Sequence, residues 1–234
     1  MVRAGTQTFT GTQSYGNCNI GDTHLLTVGA KLPIAKRFRG YLPVVVDVET
    51  AGFNPERDAL LEIATVTLQV NNQGLWQPHE THFCHLIPFE GANLDKQALD
   101  FIKVTDPYHP FRFAVPEAEG LETLFKSIRS AVKTHGCSRA ILVGHNPSFD
   151  LSFLKAASHR TKVKMPFHRF STFDTATLGG LAYGQTVLAK AVQAAGFKWD
   201  NREAHSAIYD AERTADLFCA VLNLWNQWHD KSRL

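Results

Sequence analysis

The chain is short of several things, and each shortage excludes a class of protein. Its 234 residues include two methionines and four cysteines. Cys18, Cys84, Cys137 and Cys219 are scattered with no Cys-x-x-Cys pair, so neither a zinc site nor a disulfide framework is indicated, and a reducing compartment fits. No stretch approaches the ~18 consecutive apolar residues of a membrane span, so no membrane partner is expected. The first residues lack the basic start and apolar core of a secretory signal and the arginines of a transit peptide, which makes a cytoplasmic location the expectation. A surplus of one charge is missing too. At a net +2 the chain is not a strongly basic nucleic-acid binder, and any attraction for polyanions must come from local patches.

What remains is enough for one well-packed domain, with 44% hydrophobic residues over this length. Residues 1–35 are rich in Gly, Thr, Gln and Asn and read as a poorly ordered extension, leaving 36–230 as the folded unit. No repeats are visible.

The stretch Val44 to Phe53 organises that unit. Its β-branched run reads as a buried central strand, and alternation puts Asp47 and Glu49 on one face of an otherwise apolar ribbon. An acidic pair at this spacing is often only the wet face of a strand. Here both flanks are apolar and a Thr-Ala-Gly-Phe turn follows, so the acids stand where a strand gives way to a loop, the usual place for sites in α/β sheets. Such a pair calls for raised pKa values, solvent or a bound cation.

Further along, Leu60 to Val70 and Thr81 to Ile87 read as strands joined by turn chemistry at Asn71 to Gly74, which suggests an antiparallel meander. Leu94 to Val104 reads as a short helix carrying Phe101, and Pro107, Pro110 and Pro116 mark a loop. Leu121, Leu124, Phe125, Ile128, Ala131 and Val132 recur at helical spacing over Glu117 to His135. Lys126, Arg129 and Lys133 share the opposite face, either as an ordinary solvated stripe or as a phosphate-tracking surface. Ala140 to Gly144 reads as a buried strand, and Asn146-Pro147 as an N-cap with proline at the first helical position, placing Asp150 in the first turns of a helix. A helix follows Phe173-Asp174-Thr175, another spans Val187 to Ala195, and the last runs from Ser206 to about Trp228 on a seam of Ile208, Ala211, Ala215, Phe218, Leu222 and Trp225. His205 precedes it and Asp210 lies in its second turn. Strands first, then strand and helix alternating, point to an α/β fold with a mixed sheet.

Four carboxylates thus sit at element ends, with a histidine nearby. Asp47-x-Glu49-Thr50, Gly144-His145-Asn146-x-x-Phe149-Asp150 and His205-x-x-x-x-Asp210 resemble, in order and spacing, the three motifs of the DEDD-type 3′-to-5′ exonucleases in their histidine subclass. Within that superfamily the chain is similar to the ribonuclease T family from Arg37 to about Trp225, including Phe38-Arg39-Gly40, Gly91-Ala92-Asn93-Leu94, Pro166-Phe167-His168, Thr172 to Ala176 and Gly184 to Leu188. The resemblance implies an RNase H-like α/β domain with a mixed central sheet flanked by helices. It also implies removal of nucleotides from the 3′ ends of tRNA, rRNA and other stable RNA precursors, with activity on single-stranded DNA ends.

On that resemblance Asp47, Glu49, Asp150 and Asp210 hold two Mg²⁺ ions about 4 Å apart, with Mn²⁺ able to substitute, and His205 takes the proton from the attacking water. Alone, that histidine would be an ordinary surface residue, and Asp150 a common helix-stabilising one. Substrate contacts carried over are Thr50 and the stacking set Phe53, Phe101, Phe149 and Phe170, drawn from 16 phenylalanines that are otherwise mostly core. Gln97 stands where the family pattern has a glutamate that senses the terminal base. An amide offers donors and no charge, so the family's discrimination against terminal cytosine is not expected to carry over unchanged. The family's homodimer sets a basic patch on one subunit against the acids of the other; Arg37, Arg39, Lys133 and Arg139 match it, with Lys162 and Lys164 extending it. Rival readings are a proofreading subunit of a DNA polymerase, an oligoribonuclease, and a catalytically silent nucleic-acid-binding domain.

Overall fold

A computed structural model of the chain describes residues 34–231. The extension expected over 1–35 lies outside the described residues except for Ile34 and Ala35, which are buried and belong to a short 3-10 turn, Ile34–Lys36.

The apolar run does form the central strand. β1 (Tyr41–Thr50) pairs antiparallel with β2 (Leu60–Val70) on one edge and parallel with β5 (Arg139–Gly144) on the other, so Leu42, Val44, Val45 and Val46 are fully buried. Asn71 makes the turn after β2, its side-chain oxygen accepting from the N–H groups of Gln73 and Leu75 at 2.9 and 3.0 Å. β3 (Trp76–Ile87) starts earlier than the sequence suggests, taking in Pro78. Proline is tolerated there because β4 (Val115–Pro116) covers the outer edge of β3 only at Leu86 and Ile87.

A sixth strand, β6 (Phe167–Asp174), runs parallel to β5 and was not legible in the sequence. It is an edge strand with mostly half-buried polar residues, so it carries no apolar run to betray it. Its register jumps from Ala140↔Phe167 to Leu142↔Thr172, leaving His168 to Ser171 bulged out of the ladder. The sheet order is β4-β3-β2-β1-β5-β6, a mixed sheet.

Among the described residues, six helices flank it. α1 (Lys96–Phe101) is shorter than expected and is capped by Asp95, which accepts from the Ala98 N–H at 2.9 Å. α2 (Glu117–Thr134) buries Leu121, Leu124, Phe125 and Ile128 against the sheet and packs with α3 (Ser148–Thr161). α6 (Ala207–Lys231) crosses β1, β2 and β3 and carries α4 (Thr175–Tyr183) and α5 (Leu188–Ala194). Its seam of Ala211, Ala215, Phe218 and Leu222 is buried, whereas Trp225 is half exposed and ends the seam at an apolar groove. No described helix is long and apolar enough to cross a membrane.

Phe125 ties the layers together, 1% exposed and edge-on to Phe167 at 6.3 Å. Phe125→Ala is expected to lower unfolding free energy by about 3–5 kcal/mol in urea titration; a loss below ~1 kcal/mol would contradict this packing.

Candidate active site

The C-terminal end of β1 presents Asp47 and Glu49 on one face, and the ladder with β2 shifts register just after Glu49, where the chain leaves the sheet. Asp210 reaches them from the first turn of α6. One oxygen from each of Asp47, Glu49 and Asp210 lies within 4.8 Å of the others. Asp150 arrives from the far side. Pairing of β1 with β5 ends at Val45↔Val143, so the Val48 N–H is free of the ladder and donates to Asp150 Oδ1 at 3.1 Å. Val48 lies between the two acids of the strand, which fixes the fourth carboxylate beside them.

The turn that delivers Asp150 differs from the expected cap. Asn146 adopts a left-handed conformation, φ 64°, and uses its backbone N–H to donate to Asp174 Oδ1 at 3.0 Å. Asp174 also caps α4 through the N–H groups of Ala176 and Thr177, so one carboxylate joins the turn before α3 to the helix after β6. His145 adds a second tie, to the Thr175 hydroxyl at 3.0 Å and the Thr186 carbonyl at 2.9 Å.

Crowding and burial favour the protonated forms of these acids. Burial pushes the Glu49 carboxyl up to about 8, helped by Asp210, Glu62 and Asp150. Asp150 is raised to about 7 by burial, against the opposing pull of its N–H donors. Burial and then the Asp150 charge raise Asp47 well above the usual range, and burial raises Asp210 as well. One oxygen of Asp210 is buried without any hydrogen-bond partner. An all-carboxylate donor set with an orphaned oxygen fits a hard divalent cation, which takes oxygen ligands and neutralises the cluster.

A fifth acid escaped the sequence reading. Glu62 of β2 stands directly opposite Glu49, pairs with His85 at 3.1 Å and Arg112 at 3.5 Å, and accepts the Ala207 N–H at the start of α6. Burial raises its pKa, but these partners bring it below the ordinary value, so it is a countered charge where the other four are not. The available signal was a lone acid interrupting Leu60-Leu61-Glu62-Ile63, the same signature as in β1.

His205 sits at φ 67° just before α6, exposed, with its backbone N–H donating to Asp210 Oδ2 at 3.2 Å and its ring 4.1 Å from that of Phe101. Phe53 is 87% exposed and edge-on to Phe149 at 6.2 Å. These rings are set by one frame. Asp58 accepts from the Asn54 N–H and the Asn93 side chain at 2.8 and 2.7 Å, joining the loop of Phe53 to the chain that enters α1. A Cβ on Gly52 would collide with that Asp58 carboxylate. Thr50 is buried with its hydroxyl donating to the Gly52 carbonyl at 2.7 Å, so this side chain shapes the turn. Gln97 is exposed on α1.

Phe170 does not join this group. It lies in the bulge of β6 beside His168, whose ring stacks on Tyr41 at 5.2 Å. The Arg39 and Arg139 guanidinium groups lie 5.5 and 5.8 Å from the same Tyr41 ring. Lys133, Lys162 and Lys164 are exposed, whereas Arg37 packs against Phe38 and Trp76 and donates to Asn226 at 2.7 Å. Arg129 of the α2 stripe donates to the Lys164 carbonyl at 3.0 Å, a packing role.

The raised carboxyls bind protons in the folded chain that the unfolded chain has already released between about pH 4 and 8, so stability without divalent cations must fall as pH rises through that window. Thermal melts in EDTA are expected to give a lower Tm at pH 8 than at pH 5.5, with a smaller drop for Glu49→Gln. Equal melting temperatures at both pH values, for the unmutated chain, would contradict the buried cluster.

Comparison with known proteins gives the chain a family and a fold. A family model described as exonuclease matches residues 44–218. Ribonuclease T of Vibrio parahaemolyticus is 60% identical over 195 residues, covering 83% of this chain and 91% of that protein. Ribonuclease T of Marinobacter nauticus is 61% identical over 196 residues, 83% and 88% of the two chains. Among solved structures, Escherichia coli exonuclease I with an oligonucleotide superposes at a TM-score of 0.62 and 16% identity over 82% of this chain, which spans 43% of that protein. The nuclease domain of a 3′ exonuclease described as a DEDDh family member and bound to rAMP superposes at 0.60 and 17% identity, 77% and 90% of the two chains. These structures share the fold, and at the level of sequence the chain belongs to the ribonuclease T family of exonucleases.

Proposed function

We propose that this chain is a 3′-to-5′ exoribonuclease that trims the 3′ ends of tRNA and other stable RNA precursors in the cytoplasm, releases nucleoside 5′-monophosphates, and also acts on single-stranded DNA ends. The observation that carries this reading is the convergence of Asp150 and Asp210, from separate helices, on the two acids of β1 beside His205. Asp47, Glu49, Asp150 and Asp210 would hold Mg²⁺, which, when bound, offsets the crowded negative charge and polarises the phosphodiester and the attacking water.

The remaining roles belong to the chain itself. His205 is exposed and held next to Asp210 through its backbone, so its imidazole is free to take a proton from water during attack. Phe101 touches that imidazole, and a terminal base stacked on Phe101 would bring the adjoining phosphate to the carboxylates. Phe53 and Phe149 offer a second stacking surface, and Gln97 would meet the terminal base with an uncharged amide. Sixty percent identity to named ribonuclease T proteins favours this reading over a polymerase proofreading subunit or an oligoribonuclease.

A homodimer belongs to the same reading. Tyr41, with Arg39 and Arg139 around it, is six steps along the strand from Asp47, about 20 Å, so the cationic surface and the acids lie toward opposite ends of β1. A second copy presenting that surface, Phe170 included, would hold the RNA backbone across from the carboxylates without lying among them.

Uncharged tRNA incubated with the protein and Mg²⁺ is expected to lose its terminal nucleotide; Asp150→Ala and added EDTA should each abolish the loss, and release that survives both would refute the reading. His205→Asn should lower kcat by about 10²- to 10⁴-fold with little change in KM. For Arg139→Ala, KM should rise and its dependence on salt flatten while kcat holds; a defect confined to kcat would remove Arg139 from the substrate surface.

A further inference from the structure

The loop between α1 and β4 carries three exposed aromatic side chains within six residues: Tyr108 is 58%, Phe111 81% and Phe113 83% exposed. Large rings left in water on a slack loop would mean little, but this loop is pinned. Arg112, between the two phenylalanines, donates to the Pro107 carbonyl at 2.8 Å and the Leu61 carbonyl at 3.3 Å, and pairs with Glu62 at 3.5 Å. Pro110–Arg112 forms a 3-10 turn capped by His109, whose ring accepts from the Phe111 N–H at 3.3 Å and meets the Phe111 ring edge-on at 5.2 Å. Phe113 then takes a left-handed conformation, φ 50°, which sets its direction against a backbone preference.

The anchor of this loop leads straight to the carboxylates. Glu62, which holds Arg112, is the cross-strand partner of Glu49. Rows across the sheet continue the surface: Glu49, Glu62 and His85 face one another in register, as do Asp47, Ala64 and Phe83. Directly opposed residues share a face, so Phe83, half exposed and edge-on to His85, stands two strand spacings, about 10 Å, from Asp47 on the side where Arg112 fastens the loop. Flat apolar faces held rigidly, with His85 and His109 against them and their anchor on Glu62 beside the acidic cluster, match the chemistry of unstacked bases on a single strand.

We propose that Phe111 and Phe113 form a stacking platform for the nucleotides of a single-stranded substrate that precede its 3′-terminal pair, separate from the rings beside His205. This rests on the exonuclease reading. Such a platform grips long strands and is out of reach of a dinucleotide. It therefore acts on substrate length and on processive holding, while the chemistry at the carboxylates is unchanged.

The test compares the unmutated protein with the double variant Phe111→Ser, Phe113→Asn on 3′-hydroxyl RNA of two and of ten nucleotides. Both side chains are exposed, and asparagine suits the left-handed position, so the fold should survive. For the ten-nucleotide RNA, KM should rise about tenfold, within the roughly 5- to 150-fold that one stacked base is worth. The dinucleotide KM and both kcat values should stay within about twofold, and Phe111→Trp with Phe113→Tyr should restore length dependence. Equal shifts on both RNAs, or none, would overturn the proposal. So would an unchanged KM together with loss of self-association in sedimentation, which would make the loop a contact between copies. Failure of the unmutated protein to release nucleotide from either RNA would sink the exonuclease reading instead. In that case, fluorescence anisotropy of labelled ten-nucleotide RNA without divalent cations still decides the platform, by whether the double variant weakens binding about tenfold.

Discussion

Mutual repulsion among acids withdrawn from water is the constraint on which the rest of this molecule depends. Two full charges 4.8 Å apart repel by about 3 kcal/mol at an effective dielectric near 20, and three such groups share the end of β1 with Asp150 fixed alongside. A fold that brings them together must hold them by other means. It does so with backbone geometry: the Val48 N–H grips Asp150, the His205 N–H grips Asp210, and Glu62, itself countered by His85 and Arg112, grips the start of α6. The apolar strand beneath supplies the rigidity, since β1 is paired on both sides through Val45 and cannot yield.

The same frame organises what surrounds the acids. Asp58 and Asn93 fasten the loop of Phe53 to the entry of α1, so Phe53 and Phe101 belong to one hydrogen-bonded frame, and the ring of Phe101 rests on His205. The exposed rings are thereby tied to the His205 imidazole through direct contacts. Preorganisation of this kind spares the reacting groups the entropy of finding one another. The arginine-rich surface around Tyr41 belongs to the opposite end of the strand, where it does not compete with a cation for the carboxylates.

Much of this was legible in the sequence because it depends on patterns that survive without coordinates. Acids breaking a β-branched run, an aspartate just inside a helix after a Gly-His-Asn turn, and a histidine five residues before another aspartate all mark element ends, and the fold brings those ends together. What stayed hidden depends on tertiary context. β6 is a polar edge strand whose pairing is interrupted by a bulge, so the place of Phe170 beside His168, apart from Phe53 and Phe101, could not be read. Asn146 looked like a cap, but its backbone is left-handed, the N-cap of α3 is Pro147 with no side-chain cap, and the Asn146 N–H donates instead to Asp174, 28 residues away. Arg37 reads as part of the basic patch, and its contacts with Trp76 and Asn226 lie beyond what the sequence shows. Glu62 was invisible as a partner of Glu49 because register across a ladder is not written in either strand alone.

The carboxylates also set the terms on which a cation would bind. Burial raises the Glu49 carboxyl to about 8 and that of Asp150 to about 7, so a divalent ion competes with protons for these oxygens near neutral pH and binds more readily as pH rises. Manganese binding followed by electron paramagnetic resonance at pH 8 tests this most directly. Two ions per chain in the unmutated protein, with at least one lost in Asp210→Asn, is the predicted result; no tight site, or full occupancy surviving that substitution, would contradict the account.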